Sequence, residues 1–257
     1  MEPWFFLSPE ELAPTGGLAP TNILLSKDLL PHLRALHLQR GDLIILADGK
    51  GKVYRACLRS LTAKEGEAEM EILEELSFSN EPSLQVTLFA GVAKGDKMDR
   101  VIRQSVELGV HKIVPVLTER SVIRYTSLRQ KEEKARRWQK IALAAAQQCR
   151  RGLIPSVMRP FQFEEMLSFW QKEGFEAVFV PWEEEKNTSL AQVLENLPRS
   201  LKKAALFCGP EGGISPGEME RIKEFEKAYS VSLGSRILRA ETAPLALLSV
   251  LMYHYEW

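Results

Sequence analysis

Apolar and polar positions follow two different patterns along this 257-residue chain. Early on, short apolar or alternating runs are punctuated by turn residues. Asp42-Leu-Ile-Ile-Leu-Ala47, then Asp48-Gly-Lys-Gly51, then Lys52-Val-Tyr-Arg-Ala-Cys-Leu58 reads as two strands joined by a hairpin turn. Residues 67–73 alternate charged with small or apolar side chains. Several short strands within residues 1–75 predict a small barrel, with the glutamate-rich stretch that runs to residue 83 as a linker or last strand. From residue 84 onward strand-length apolar runs alternate with helical segments, which predicts an α/β domain with a mostly parallel sheet. Residues 84–92 and 111–117 read as strands, 98–108 as a helix ended by Gly109, and 131–150 as a long helix. The segment 163–172, a strand at 175–181 and a helix near 189–197 follow.

The last fifth has the densest local signals. The apolar run 204–208 has strand length and meets Gly209-Pro-Glu-Gly-Gly-Ile-Ser215 directly. Ser215 as N-cap, Pro216 at the first helical position and Glu218 closing a capping box predict a helix start, with the helix running to about residue 229. Residues 231–233 read as the next strand, Gly234 as a turn, and Thr242 or Ala243 as the start of a last helix. Leu245, Leu248, Leu251, Met252 and Tyr255 form its apolar face. Two glycine-bearing loops separated by one helix suggest a site built from backbone, where a flat ligand is gripped between turns. The first loop lacks the GxxxxGK[ST] lysine and hydroxyl of a phosphate loop, and it is not a GxGxxG dinucleotide turn. Taken alone, it reads equally as a tight connection without a ligand.

These residues resemble the signature loops of the SPOUT methyltransferases, and most of all the bacterial family that methylates N3 of a uridine in 16S small-subunit ribosomal RNA. Lys94-Gly-Asp-Lys-Met-Asp99, Glu107-Leu-Gly-Val110, Thr118-Glu-Arg-Ser121, Arg137-Trp-Gln-Lys-Ile141 and Gln148-Cys149 fall where that family has similar segments. The resemblance implies a C-terminal trefoil-knot methyltransferase domain over residues 76–257 and an N-terminal PUA-like barrel over 1–75 that helps bind RNA. It implies S-adenosylmethionine as cofactor, held by Cys208, Gly209, Gly212, Gly213, Leu233, Gly234, Ile237 and Leu238, with Thr242 and Ala243 at the edge. It further implies a homodimer acting on 16S rRNA, within the small ribosomal subunit, during rRNA processing and ribosome biogenesis.

Uridine N3 is a poor nucleophile while protonated, so a site for it must remove the proton or stabilise the anion. Arg239 or Arg236 suits the second task and Glu241 the first. A structural alternative stays open: Glu241 caps the last helix while the arginines pair with it or with Glu211. Arg34, Arg40, Lys94, Lys97 and Arg120 are the expected RNA contacts. The related barrels carry an arginine just after the start and a second one where this chain has His37, in His32-Leu-Arg-Ala-Leu-His37, which leaves phosphate contacts to Arg34 and Arg40. An ordinary histidine is mostly uncharged at neutral pH.

Charge modifies this picture. The formal net charge is zero with a pI near 6.9, unlike a typical nucleic-acid binder. The average hides segregation: residues 94–160 carry sixteen Lys and Arg against six Asp and Glu, while 61–81 has one lysine and seven glutamates. A basic face on a neutral protein can hold phosphates, and the same residues equally suit a solvated helix face. Cys57, Cys149 and Cys208 are isolated in sequence, so neither a disulfide framework nor a CxxC metal site is expected, and no metal is. No apolar run has membrane-spanning length and the start lacks a signal-peptide pattern, which makes cytoplasm the expectation. Three other readings compete: a sister enzyme with a different RNA target, a non-catalytic ribosome assembly factor on the same fold, and a doubly wound small-molecule enzyme.

Overall fold

The two apolar runs around Asp48 pair as antiparallel strands in the computed structural model, which describes residues 2–12, 22–24, 29–62, 67–77 and 80–256. The chain forms two compact units, Met1–Glu81 with Ala146–Ile154, and Pro82–Ala145 with Pro155–Trp257.

The first unit contains β1 (Trp4–Phe6), α1 (Pro9–Leu12), β2 (Asn22–Leu24), α2 (Leu30–Ala35), β3 (Leu43–Ala47), β4 (Val53–Thr62) and β5 (Glu67–Glu75), in a five-stranded sheet of order β1-β3-β4-β5-β2. Asp48 makes the turn between β3 and β4: its Oδ1 accepts the Lys50 N–H at 2.7 Å and the Lys52 N–H at 3.0 Å. The period-two pattern sorts β4 and β5 by face. Ala56, Leu58, Ala68 and Met70 are buried with Phe5, Leu33, Ile44 and Leu46, while Arg55 pairs with Glu74 and Arg59 with Glu71 across the strands. Residues 146–154 join this unit by hydrogen bonds from the Gly51 N–H to the Gly152 carbonyl (3.2 Å) and from the Ile154 N–H to the Gly49 carbonyl (3.1 Å). The buried Arg151 guanidinium meets Glu81 at 2.5 Å, and the Leu153 N–H donates to the other Glu81 oxygen at 3.1 Å. His37 follows α2 with φ +53°, a conformation L-residues adopt uncommonly.

The second unit is α/β. In chain order come β6 (Gln85–Gly91), α3 (Lys97–Glu107), β7 (Lys112–Leu117), α4 (Leu128–Gln148, whose last turn belongs to the first unit), β8 (Ser156–Val157), β9 (Phe161–Gln162), α5 (Phe163–Glu173) and β10 (Ala177–Pro181). Then follow α6 (Leu190–Asn196), β11 (Lys203–Cys208), α7 (Pro216–Lys223), β12 (Ala228–Val231) and α8 (Ala243–Glu256). The seven strands form one parallel sheet of order β12-β10-β11-β6-β7-β8, with β9 also on β7. Its central strands read as continuous apolar runs because both faces are covered. Phe89, Trp170, Phe175 and Phe207 meet edge-on in the core, with Phe89 and Trp170 centroids 5.7 Å apart. On α8, Leu247, Leu248, Leu251 and Met252 are buried, whereas Leu245 and Tyr255 of the expected apolar face are only half-buried.

Most element ends fall within three residues of the sequence reading, α4 starting at Leu128 and not 131 and β10 at Ala177 and not 175, but around residues 223–233 the difference is larger. The helix expected to reach about residue 229 stops at Lys223, where the Phe225 N–H turns back to the Ile222 carbonyl. The strand expected at 231–233 is Ala228–Val231, because these four residues complete the ladder beside β10, with Val178 opposite Ala228 and Pro181 opposite Val231. Tertiary pairing outweighs the helix-compatible sequence there. Among the described residues no helix is long and apolar enough to cross a membrane, and no group of three His, Cys, Asp or Glu side chains is placed to hold a metal.

Candidate active site

β6 and β11 lie side by side in parallel, with Ala90 opposite Cys208. The chain leaves β6 toward β7 on one side of the sheet and leaves β11 toward β12 on the other. The connections after these two strands therefore run to opposite sides of the sheet, and open parallel sheets bind ligands at the carboxyl ends of strands near such a reversal. Residues 209–215 pass directly over the end of β6. A Cβ on Gly91 would lie 2.3 Å from the Pro210 nitrogen and 2.7 Å from the Gly209 carbonyl carbon, so only glycine fits beneath the loop. The loop closes on itself through the Gly213 N–H to the Pro210 carbonyl at 2.9 Å, with Gly213 at φ +73°.

Hydrogen bonds anchor the loop. Ser215 caps α7 as its spacing predicts: Ser215 Oγ accepts the Glu218 N–H at 3.2 Å, and Glu218 Oε2 accepts the Ser215 N–H at 3.0 Å. The second Glu218 oxygen accepts the Glu119 N–H at 2.8 Å, which ties the loop after β7 to the same helix start, and Glu218 is left 7% exposed. Arg120, beside it, donates from Nη1 to the Gly212 carbonyl at 3.1 Å.

A cleft of about 920 Å³ opens beside this loop, walled by Pro181, Trp182, Glu183, Glu185 and Lys186 at the end of β10, residues 208–214 at the end of β11 and 232–241 after β12, with Lys97 and Ala243. Of the residues singled out in sequence, Cys208, Gly209, Gly212, Gly213, Leu233, Gly234, Ile237, Leu238 and Ala243 line it, and so do Arg236, Arg239 and Glu241. Thr242 does not; its N–H donates to the Arg239 carbonyl at 2.8 Å, in the turn that leads into α8. Ile237 is 85% exposed at the tip of its loop.

The polar groups of the cleft are interlinked. Lys97 Nζ lies 2.9 Å from Glu211 Oε1 and 4.0 Å from Glu241 Oε2, and the Lys94 N–H also donates to Glu211 at 3.1 Å. Burial would push the Glu211 carboxyl up, but the bonds from Lys97 and the backbone outweigh it and hold the group below the ordinary carboxylate value. Glu241 Oε2 is buried without a hydrogen-bond partner. Cys208 is buried, and burial pushes its thiol up, which disfavours the thiolate form a nucleophile needs.

The loop after β10 also walls the cleft and carries no motif in the sequence. Glu183 lies across Gly213, where an added Cβ would be 2.6 Å from Glu183 Oε1, and Trp182 carries the Lys223 ammonium 5.1 Å from its ring centroid. The loop has no glycine to flag it, and it is the sheet order, with β10 beside β11, that brings it to the cleft.

The expected RNA contacts are spread over both units. Arg34, on α2, and Arg40, before β3, are exposed residues of the first unit. Lys94 is exposed after β6, whereas Lys97 and Arg120 are engaged at the loop after β11. Part of the basic surplus is paired: Arg137 with Asp99, Arg159 with Glu165 at 2.8 Å and Arg129 with Glu133 at 2.9 Å.

The family model described as an RNA methyltransferase domain matches residues 80–252. The ribosomal RNA small subunit methyltransferase E of Bacillus subtilis (strain 168) is 31% identical over 242 residues, covering 93% of this chain and 92% of that one. The protein of the same name from Synechocystis is 35% identical over 243 residues, covering 93% and 75%. The crystal structure of the Neisseria gonorrhoeae ribosomal RNA small subunit methyltransferase E bound to S-adenosyl methionine superposes with a TM-score of 0.84 at 30% identity, over 99% of this chain and 98% of that one.

Proposed function

The chain belongs to the RNA methyltransferase family whose domain spans residues 80–252, and from that premise we propose that it methylates 16S small-subunit ribosomal RNA at N3 of a uridine, with S-adenosylmethionine as methyl donor. One observation carries the reading: two glycine-bearing loops, after β11 and β12, wall one cleft at the carboxyl ends of the strands of a parallel sheet.

The residues present fit the cofactor. A volume near 920 Å³ suits a nucleoside-sized ligand, and side chains larger than hydrogen at Gly209 or Gly213 would strike neighbouring loop or carboxylate atoms. Cys208, Gly209, Gly212 and Gly213 on one side and Leu233, Gly234, Ile237 and Leu238 on the other would hold it largely through main-chain groups, with Ala243 at the edge. When bound, S-adenosylmethionine supplies a methyl carbon made electrophilic by its sulfonium.

The chain's own residues prepare the nucleophile. The Glu241 carboxylate takes the proton that uridine N3 must lose to free its lone pair. Arg239, with Arg236, stabilises the negative charge that then spreads over the uracil oxygens. Arg34, Arg40, Lys94 and Arg120 contact RNA phosphates, and the target base is unpaired or flipped out to reach the cleft. The sheet of the first unit serves as the PUA-like barrel and the loops of the second as the trefoil knot, in a cytoplasmic homodimer. These assignments rest on the motifs described above and on family membership.

Transfer of labelled methyl from S-adenosylmethionine to small subunits from cells lacking the gene, followed by mapping of the modified base, tests the reading. Label at a uridine N3 is expected. Label at another position discards the target and keeps the reaction. No label despite cofactor binding discards the reaction on this substrate, and an absence of cofactor binding leaves a non-catalytic assembly factor.

A further inference from the structure

Lys97, in the Lys94-Gly-Asp-Lys97 segment that would ordinarily be read as a phosphate contact, has its ammonium engaged inside the cleft. It donates to Glu211 Oε1 at 2.9 Å and stands 4.0 Å from Glu241 Oε2, with its side chain 29% exposed and those of the two glutamates 28% and 18%. Glu241 Oε2 is itself buried and makes no hydrogen bond. A buried carboxylate oxygen without a donor is costly unless an opposite charge stands nearby, and the ion pair recorded for it is with Lys97. Because both oxygens lie close to one ammonium, they are at most about 7 Å apart, near enough to repel strongly in a partly dehydrated cleft if that charge is removed.

We propose that Lys97 is a positioning residue of the reaction centre. It offsets the charge of Glu211 and anchors the buried oxygen of Glu241, which leaves the rest of the Glu241 carboxylate facing the cleft as acceptor for an N–H of the target base. The inference deepens the methyl-transfer reading and rests on it for the identity of the base. Without the lysine charge, Glu211 and Glu241 repel each other and the Glu241 carboxylate loses the cation that holds its buried oxygen, so it no longer presents an acceptor to the base, while the phosphate-binding surface is untouched.

Lys97→Met, Lys97→Arg and the double variant Lys97→Met/Glu211→Gln test this in the full-length protein. Two readouts are needed: kcat and KM for methyl transfer to unmethylated small ribosomal subunits, and equilibrium binding of labelled subunits across a salt series. Lys97→Met should lower kcat by at least about tenfold, less than the full effect of losing a general base, while KM and the salt slope of binding stay as in wild type. Lys97→Arg keeps the charge and should recover most of the rate. The double variant should recover part of it, because glutamine still accepts the Lys94 N–H and the repulsion is gone. A salt slope smaller by about one unit with kcat intact would make Lys97 a phosphate ligand and overturn the proposal. A double variant no faster than Lys97→Met would overturn the charge compensation. If the wild-type protein binds subunits but transfers no methyl, the methyl-transfer reading fails, and the salt slopes still decide whether Lys97 holds a phosphate.

Discussion

Replacing Gly91 by alanine probes the junction on which the cleft depends. The new methyl carbon would stand 2.3 Å from the Pro210 nitrogen, 2.6 Å from Pro210 Cδ and 2.7 Å from the Gly209 carbonyl carbon, all in a loop held at both ends. Ordinary contacts there need at least about 3.4 Å, so the loop or the end of β6 must move by about 1 Å. Loop backbone cannot rotate aside as a side-chain tip can. Overpacking of this kind costs about 1–3 kcal/mol, and the depth of the clash puts Gly91→Ala near the upper end. At about 2–4 °C per kcal/mol for a domain of this size, the melting temperature should fall by about 6–12 °C. A shift of about 1 Å in the loop that carries Gly209 to Gly213 should also weaken S-adenosylmethionine binding by at least about tenfold.

Gly217→Ala is the matched control. Its added carbon meets nothing within 4 Å and sits in the first turn of α7, so it should be neutral or gain up to about 1 kcal/mol from helix propensity. Calorimetric melting and titration with S-adenosylmethionine read both effects on the same samples. A Gly91→Ala protein that melts within 1 °C of wild type, taking ~1 °C as the resolution of such a comparison, and binds the cofactor equally well would refute the account of how this loop is seated.

Arg239→Ala should leave cofactor affinity nearly intact and abolish turnover; unchanged turnover in the labelled-methyl assay removes Arg239 from the mechanism. Arg151→Met strands the Glu81 carboxylate inside the first unit with the Leu153 N–H but without its cation, so urea denaturation should show a loss of about 3–5 kcal/mol, and a loss below about 1 kcal/mol would mean the pair is not buried in solution. Glu211 is held below its ordinary value of 4.5 in the folded protein, so it contributes stability that is present above that pH and is lost as pH falls through the lower folded value. Glu211→Gln should therefore flatten the acid limb of stability below about pH 4.5, as read by denaturation midpoints, and an unchanged limb would show that Lys97 and the backbone do not favour the charged form.

What could be read in the chain and what could not divide along a physical line. Ser215, Pro216 and Glu218 announce a helix start because capping is decided within four residues, and the structure has that start where the spacing puts it. The end of the same helix was misplaced because the competing state of residues 228–231, a strand, is stabilised by β10, roughly fifty residues earlier. The cleft divides in the same way. Its glycines were visible, since a turn that tolerates no Cβ must use glycine wherever it occurs. Glu183 and Trp182 carry no such mark, and they reach the cleft because sheet order sets β10 beside β11. Sheet order is absent from periodicity, and so is the pairing of Lys97 with Glu211, 114 residues apart. A lysine at a helix start reads as a surface charge until the strand-order reversal brings the loop after β11 against it. The loop after β11, lying over the end of β6, thus does two things at once: it walls the cleft and meets the cation at the start of α3, which stands by two carboxylates. A side chain's role in such a site follows from which strand ends meet, so the contribution of Lys97 is decided by topology and not by its local sequence.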